Sequence, residues 1–398
     1  MAEAPRSEKV MVPPMADPSS ENKATERIHF SILSKLPIKS INRFSTVRKS
    51  WSGLFENPDF LKMFCKNLVS KYHGNNGDDV GLLFNINSKN LSLLSGDKFK
   101  PLNMVNLPSQ FVDYNKHLGI LGSAVDGVIC LYDVYNQKNI ILWNPSNNEK
   151  RVLPTNYAED LGGIDDCIPN ICVHGFGYDT VHRDFNVVQY VINDNVYSDG
   201  SLDQTDSFWQ VYSLKSNKWK PLDGVRLPFL QYNPNGLEVC LDGVCHWLGR
   251  KETNSQLFLV SFNLEAFNSA LTPVDADVTE SSLKLMVLNG SVAMITQHAD
   301  PMSFSISILG QIGVQNSWTT FFNVASSPSI KNPIAAGKKG VIFFKGNEKD
   351  GKVARFDLTS GMIERVIDFG AKENIQQIVF YKETDQILSK KRKSTHRH

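Results

Sequence analysis

A turn glycine followed at once by a short apolar run occurs five times in this chain, and this repeat limits the possible folds more than any other feature. The five glycines are separated by 46, 116, 47 and 50 residues. The runs are Gly81-Leu82-Leu83-Phe84, Gly127-Val128-Ile129-Cys130, Gly243-Val244-Cys245-His246-Trp247, Gly290-Ser291-Val292-Ala293-Met294 and Gly340-Val341-Ile342-Phe343-Phe344. Such runs between turn residues predict β-strands. The longest gap leaves room for two more units, one of them around Phe176-Gly177-Tyr178.

A second pattern follows the apolar runs and predicts a strand, a polar turn and another strand. Its clearest copies are Leu142-Trp143-Asn144-Pro145 leading to Arg151-Val152-Leu153-Pro154, Val211-Tyr212-Ser213-Leu214 leading to Trp219-Lys220-Pro221-Leu222, Ser261-Phe262-Asn263-Leu264, and Arg355-Phe356-Asp357-Leu358. Units of this spacing have room for four strands, which is the size of a propeller blade. The sequence therefore predicts an all-β propeller of six or seven blades, with a stacked β-sandwich as the alternative.

The segment before this β region has the periodicity of helices. Pro37 is expected to end a first helix and can open a second. Asn57-Pro58 predicts a helix that begins with an asparagine cap and a proline at its first position. The apolar positions of the first helix are Ile28, Ile32, Leu33 and Leu36. We therefore predict a small all-helical unit of about 45 residues, a size at which a partner helps stability.

The charge of the chain is divided between these two regions. The whole chain has a formal net charge of +1, but Thr25–Tyr72 carries +6 and His73–Ser389 carries −9. A basic unit joined to an acidic one predicts two modules with different partners. The predicted boundaries are a disordered arm over 1–24, the helical unit over 25–73, a linker over 74–79, the β domain over 80–385 and a basic tail over 386–398.

The helical segment resembles the F-box of plant F-box proteins. The resemblance is carried by Ile32-Leu33-Ser34-Lys35-Leu36-Pro37-Ile38-Lys39-Ser40-Ile41-Asn42-Arg43-Phe44 and by Val47-Arg48-Lys49-Ser50-Trp51. The β region resembles the F-box-associated (type 1, kelch-related) domain, through Trp143-Asn144-Pro145, Gly175-Phe176-Gly177-Tyr178-Asp179, Trp209-Gln210-Val211-Tyr212-Ser213 and Asp242-Gly243-Val244-Cys245-His246-Trp247. The implied fold is a small all-α F-box bundle followed by an all-β, β-propeller-like domain.

This resemblance implies a non-catalytic adaptor in a Skp–cullin–F-box ubiquitin ligase. The F-box would bind a Skp-type adaptor and, through it, the cullin and RING subunits, and the β domain would bind a protein target. The implied adaptor-binding residues are Ile32, Leu33, Leu36, Pro37, Ile41, Phe44, Val47 and Trp51. The family usually opens with another Leu-Pro pair and acidic residues, and this chain has Ala24–Phe30 there instead. Part of the usual adaptor contact is therefore missing.

Two function classes remain as alternatives: a propeller-type carbohydrate-binding or enzymatic domain, and an F-box protein that acts outside the ligase. The target is unknown from sequence. Long loops between blades are the places where propellers bind partners, and we expect them at Tyr157–Asn170 and Asn193–Ser207. Tyr157 and Tyr197 are candidate anchors in these loops.

The cysteine and histidine patterns predict no metal site. Cys167 and Cys172 are five residues apart, as are Cys240 and Cys245, and on one strand that offset places two sulfurs on opposite faces. Neither pair has the two-residue spacing of structural zinc ligands. We expect buried thiols in a reducing compartment. His246 is predicted to be a hydrogen-bonded core histidine.

No catalytic motif or cofactor-binding loop is apparent, so we predict neither enzymatic activity nor a cofactor. The sequence lacks a Gly-x-Ser-x-Gly elbow and a phosphate-binding Gly-Lys-Ser/Thr loop. Asp165-Asp166 and Asp179 with Asp184 could form carboxylate pairs, but their sequence context favours solvated aspartates in loops and turns. The charge of the β domain disfavours nucleic acid as a partner, and no apolar run reaches the roughly 20 residues of a membrane span. The cluster Lys390–Lys393 is of the kind that acts in nuclear import or nucleic-acid contact, but a solvated disordered end is the favoured interpretation. We expect a cytoplasmic and/or nuclear protein.

Overall fold

A computed structural model divides the chain into two compact units, Met1–Leu68 and Val69–His398, which are considered separately. The structure describes residues 28–36, 40–41, 54, 57–70, 80–86, 90–95, 100–111, 117–154, 167–196, 202–203, 207–225, 227–228, 238–250, 256–274, 283–299, 302–327, 330–337, 340–346, 351–370, 373–384 and 388. No helix among these residues is long and apolar enough to cross a membrane.

The first unit contains a helical segment over 28–33 and all but the last two residues of helix α1 (Pro58–Ser70). The predicted cap of α1 is confirmed, because Asn57 Oδ1 accepts the backbone N–H groups of Asp59 at 3.0 Å and Phe60 at 3.2 Å. The Phe30 and Phe60 rings pack edge to face with centroids 5.4 Å apart. Pro37 and most of the segment between the two helices lie outside the described residues, so the complete F-box bundle stays a prediction.

Among the described residues of the second unit, the strands form six antiparallel sheets. The first three contain β1 (Val80–Ile86), β2 (Asn90–Ser95), β3 (Lys100–Val105); β4 (Leu118–Val125), β5 (Val128–Asp133), β6 (Ile140–Asn144), β7 (Glu149–Val152); and β8 (Cys167–Asp179), β9 (Asp184–Val196), β10 (Leu202–Asp203), β11 (Phe208–Ser213), β12 (Lys218–Pro221). A 3₁₀ turn, Ser109–Phe111, precedes β4.

The remaining three sheets continue the same order along the chain. They contain β13 (Val239–Leu241), β14 (Val244–Arg250), β15 (Leu257–Asn263), β16 (Asn268–Pro273); β17 (Leu283–Leu288), β18 (Ser291–Ala299), β19 (Met302–Leu309), β20 (Trp318–Ala325); and β21 (Asn332–Ala336), β22 (Val341–Lys345), β23 (Lys352–Asp357), β24 (Met362–Asp368). The last strand, β25 (Ile375–Lys382), pairs with β1. We number these sheets as blades 1 to 6 in chain order, and β25 belongs to blade 1.

The six blades form a closed ring. The innermost strands are β25, β4, β8, β13, β17 and β21, and each of them contacts the next, including β21 with β25. Blade 1 combines strands from both ends of the domain, with Leu82 opposite Phe380. A ring of blades around a central axis is a β-propeller, and it rules out the β-sandwich alternative. The predicted number of six or seven blades becomes six.

The glycine repeat marks the inner hairpin of a blade, with one exception. Gly127, Gly243 and Gly290 have φ angles of 74°, 74° and 73°, and the Asp or Asn before each is also at positive φ. Two consecutive residues at positive φ form the two-residue turn that suits the twist of a β-hairpin. Gly81 was wrongly predicted to be a turn glycine, because it lies inside β1 opposite Tyr381. The inner strand of its blade comes from the other end of the domain, so no hairpin precedes it.

The second sequence pattern corresponds to the outer hairpin of a blade, as predicted. Polar side chains at the end of the third strand accept backbone N–H groups in the turn that follows. Asn263 Oδ1 accepts from Glu265 at 2.8 Å, and Asp357 Oδ1 accepts from Thr359 at 2.6 Å. These Asx-type turns repeat because short polar side chains bond to the backbone two residues later.

Candidate binding site in the central channel

A cavity of about 340 Å³ lies in the channel of the propeller. Residues next to or within the inner strands β4, β13, β17, β21 and β25 border it. Its described lining comprises Gly122, Ser123, Ala124, Glu238, Val239, Cys240, Leu241, Lys284, Leu285, Met286, Val287, Asn289, Gly290, Ile334, Ala335, Ala336, Gly337, Gln377, Ile378, Val379 and Phe380. The wall is mostly apolar with a few polar groups, which is the usual composition of a ligand site.

Glu238 and Lys284 supply the charged side chains among the described lining residues. Glu238 immediately precedes β13 in blade 4, and Lys284 lies near the start of β17 in blade 5. Burial raises the pKa of Glu238 to about 8, and the nearby Lys284 partly opposes this shift. Burial lowers the pKa of Lys284 to about 8, and Glu238 partly opposes that shift in turn. The cavity therefore contains two groups that change protonation near neutral pH.

Gln377 also borders the cavity, but its amide group is used inside the protein. Its Nε2 donates to Ile120 O at 2.8 Å, and its Oε1 accepts from Ile120 N at 2.9 Å. Asn85 Nδ2 also reaches this Oε1, at 3.4 Å. These bonds join β25 to β4, so Gln377 holds two neighbouring inner strands in register.

The described cavity residues do not include a histidine or a tyrosine. Within the described ranges of the chain, three or more His, Cys, Asp or Glu side chains do not come together as they would around a metal ion. One carboxyl group and one ammonium group in an apolar wall are suited to bind a polar group of a partner. Neither Glu238 nor Lys284 is predicted to be a site residue by the sequence patterns described above. The available signal was a charged side chain at the start of a blade's first strand, next to apolar residues.

The structure describes four of the eight predicted adaptor-binding residues. Ile32 is 58% exposed and Leu36 is partly exposed, whereas Leu33 and Ile41 are buried within the first unit. Ile28, one turn before Ile32, is 60% exposed and extends the same apolar surface. The other four predicted residues lie outside the described residues: Pro37, Phe44, Val47 and Trp51.

The two predicted target-binding loops are shorter than the sequence suggested. The end of Tyr157–Asn170 belongs to β8, and the start of Asn193–Ser207 belongs to β9. The reason is a long antiparallel hairpin, in which Asn170 pairs with Ile192. Polar residues at the far end of a paired strand resemble a loop in sequence, because both are rich in Asp and Asn. Tyr157 and Tyr197 lie outside the described residues.

The prediction that each cysteine pair lies on opposite strand faces was wrong for Cys240 and Cys245. Cys240 is in β13 and Cys245 is in β14, and the two are directly opposite each other across the hairpin. Cys167 and Cys172 do share one strand, β8. The two pairs have the same spacing in sequence. They differ because a turn lies between Cys240 and Cys245, whereas Cys167 and Cys172 are in one continuous strand.

Two buried histidines, His246 and His174, are surrounded by groups that give them a structural role. His246 is a core histidine as predicted, with its Nδ1 2.9 Å from Ser261 Oγ, and burial lowers its pKa to about 4. His174, which sequence analysis did not single out, lies with its ring centroid 5.1 Å from Trp209 and 5.6 Å from Trp247. Burial lowers the pKa of His174 to about 3, so this ring is neutral at physiological pH.

The turn roles predicted for Asp179 and Asp184 are confirmed, but both residues are buried and not solvated as predicted. Asp179 Oδ1 accepts the backbone N–H groups of Val181 and His182, each at 2.9 Å. Asp184 Oδ1 accepts the N–H of Lys215 at 3.0 Å. These carboxylates close the β8–β9 and β11–β12 connections.

Comparison with known proteins gives one family match, to the F-box associated beta propeller domain, over residues 83–391. F-box protein At2g21930 of Arabidopsis thaliana is 24% identical over 315 residues, which are 76% of this chain and 72% of that protein. F-box protein CPR1 of Arabidopsis thaliana is 23% identical over 361 residues, which are 83% of this chain and 80% of that protein. A chain in the crystal structure of a nidogen/laminin complex is 11% identical with a TM-score of 0.47, over 77% of this chain and 99% of that chain.

Proposed function

The chain belongs to the F-box associated β-propeller domain family, and from this membership we propose that it is the substrate-recognition adaptor of a Skp–cullin–F-box ubiquitin ligase. The observation that carries the proposal is the family match over residues 83–391, which includes most of the six-bladed ring. Relatives that align over most of their length are named F-box proteins. In this role the chain is not a catalyst. It tethers a target protein near the ubiquitin carrier and so raises the effective concentration of the target there.

The proposed adaptor-binding surface is on the first helical segment. Ile28 and Ile32 are one helical turn apart, and both are largely exposed. Lys35 is exposed close to them and adds positive charge. An apolar surface with basic neighbours suits a partner helix that is apolar and acidic. Leu33 is buried, so it supports the unit from inside while Ile32 faces outward.

The adaptor contact can be tested with the full-length chain and a purified Skp-type adaptor. We expect Ile32→Asp to weaken binding at least about tenfold, since a charge would be buried in an apolar contact. Leu36→Ala combined with Pro37→Ala should also reduce binding. Met362→Asp is the matched control, because Met362 is 65% exposed in β24 of the other unit. Equal binding by the wild type and both helical-unit variants would contradict the proposed surface.

The proposed target site is the channel cavity with Glu238 and Lys284 in its wall. Proximity labelling from the full-length chain, with the ligase inhibited, should recover a set of target proteins. We expect Lys284→Met to remove part of this set, because it removes a charge from the cavity. Lys352→Met is the control, since this lysine is 53% exposed in β23. An identical set from the wild type and Lys284→Met, with unchanged melting temperature, would place the target elsewhere.

If the chain acts in a ubiquitin ligase, it has a cullin partner, and if it acts outside the ligase, it lacks this partner. In the first case a cullin subunit co-purifies with the chain and the Skp-type adaptor. In the second case the adaptor co-purifies without the cullin. Quantifying both proteins after affinity purification of the full-length chain therefore separates the two functions.

A further inference from the structure

Cys240 and Cys245 occupy a cross-strand pair position from which a disulfide can form. They are directly opposite in the register of β13 and β14, and the neighbouring Cys240 thiol together with burial raises the pKa of the Cys245 thiol. The turn between the strands has two residues, so this pair follows the hydrogen-bonded pair Leu241–Val244 and is itself a non-hydrogen-bonded pair. Opposite Cα atoms in such a pair are about 4.5 Å apart, which is within the range that disulfides span.

Two glycines of the neighbouring blade make room for these thiols. A Cβ atom on Gly177 would lie 2.5 Å from Cys240 Sγ, and a Cβ atom on Gly175 would lie 2.9 Å from Cys245 Cβ. Both distances are shorter than any ordinary contact, so a side chain at either position would displace a cysteine. The Gly-Phe-Gly segment of β8 therefore leaves a slot in which the two sulfurs lie side by side.

Cys130 and Cys172 lack this arrangement. Cys130 is fully buried, with Leu121 and Leu142 opposite it on the neighbouring strands. Cys172 is buried opposite Tyr190. Cys240, in contrast, is partly exposed and borders the channel cavity, so a small oxidant can reach it.

We propose that Cys240 and Cys245 form a reversible intrachain disulfide when a peroxide oxidises the protein. In the first step the Cys240 sulfur attacks hydrogen peroxide, which gives a sulfenic acid and one water. In the second step the Cys245 sulfur attacks this sulfenic acid, and its proton leaves with the hydroxyl group as a second water. The two thiols lose two electrons and two protons in total, and the peroxide is reduced to water.

The disulfide would act on the channel rather than on the stability of the fold. It closes a loop of only four intervening residues within a hairpin, so it restricts the unfolded chain little. The bond would instead fix the side chain of Cys240 at the border of the cavity. Oxidation would therefore alter the wall of the proposed target site.

Peptide mapping of the full-length chain tests this directly. The reduced protein is treated with hydrogen peroxide, denatured in N-ethylmaleimide and digested with trypsin. One tryptic peptide, Leu227–Arg250, contains both cysteines. We expect this peptide without maleimide and about 2 Da lighter than the dithiol form, since two hydrogens are lost. Dithiothreitol before alkylation should restore two maleimide adducts.

Two variants and the wild type give outcomes that decide the proposal. Cys240→Ala should leave Cys245 fully alkylated after peroxide, whereas Cys172→Ala should keep the light peptide. The proposal is overturned if wild-type Cys240 and Cys245 are both alkylated after peroxide treatment. A sulfinic acid on Cys240, or a bond from Cys240 to any other cysteine, overturns it equally. The wild-type measurement needs no variant to fold.

Discussion

Two junctions between blades of this propeller are built from different interactions. Between blades 3 and 4, the rings of Trp209 and Trp247 stack with centroids 5.3 Å apart, and His174 packs against both. Between blades 1 and 2, Gln377 bonds to both backbone groups of Ile120, a residue 257 positions away in the chain. The first junction is mainly aromatic packing, and the second is fixed by hydrogen bonds.

The hydrogen-bonded junction continues along the end of β25. Tyr381 OH lies 2.6 Å from Ser146 Oγ and donates to Asn144 Oδ1 at 3.1 Å. Asn144 Nδ2 in turn donates to Thr384 O at 2.9 Å. The chain then reaches Leu388, which is buried in the core between blades 2 and 3, past residue 386 where the tail was predicted to begin.

The difference between the two junctions shows what aromatic packing and buried hydrogen bonds each contribute. Packing of large rings supplies much free energy but little direction, and it suffices where consecutive blades follow each other in sequence. The strand β25 arrives from the far end of the domain and must find one register against β1 and β4. Buried hydrogen bonds specify that register, because a shifted strand would leave polar groups unsatisfied.

The largest expected effect comes from breaking the aromatic junction. Trp247 is fully buried, so Trp247→Ala should lower the free energy of unfolding by about 3–5 kcal/mol. Trp247→Phe keeps part of the packing and should cost less. Chemical denaturation followed by circular dichroism measures both. A loss below about 1 kcal/mol for Trp247→Ala would show that the junction is not held by this ring.

Breaking the hydrogen-bonded junction should cost less, but still a clear amount. Gln377→Ala leaves the buried N–H and C=O of Ile120 without the amide, and we expect a loss of about 2 kcal/mol in the free energy of unfolding. Gln376→Ala is the matched control, because Gln376 is on the same strand and is partly exposed. Equal losses for the two variants in the same denaturation experiment would contradict a special role for Gln377.

Acid pH should weaken the aromatic junction through His174. The unfolded histidine takes up a proton below about pH 6.5, but the folded one does not until about pH 3. Stability is therefore lost as the pH falls through this range, by up to about 1.4 kcal/mol per pH unit. His174→Phe should remove this contribution. Unfolding curves at pH 7 and pH 5.5 measure it, and parallel losses in wild type and variant would refute it.

The smallest expected loss of stability comes from removing one hydroxyl group of the hydrogen-bonded junction. Tyr381→Phe removes only the hydroxyl group from a side chain that is otherwise buried, so the packing is kept. We expect a loss of about 1 kcal/mol in the free energy of unfolding. If the double variant with Ser146→Ala costs no more than Tyr381→Phe alone, the two hydroxyls act as one unit.

The predicted F-box-associated domain is confirmed by the family match, and so is a propeller of blade-sized units. These features could be predicted because turns obey local rules. An Asp or Asn before Gly127, Gly243 and Gly290 favours a two-residue hairpin turn, and at these three positions such a turn forms. The charged residues of the channel could not be found in this way. Glu238 and Lys284 are 46 positions apart in sequence, and only the ring brings their strands together.

The hairpins, the polar turns and the all-β character of the large domain follow from local sequence, because each depends on the φ and ψ preferences of neighbouring residues. Only the tertiary structure shows that six blades close the ring, that Gly81 lies inside a strand, and that Glu238 and Lys284 border one cavity. Pairing between strands that are distant in sequence is selected by the packing of the whole ring, which the φ and ψ preferences of neighbouring residues do not encode.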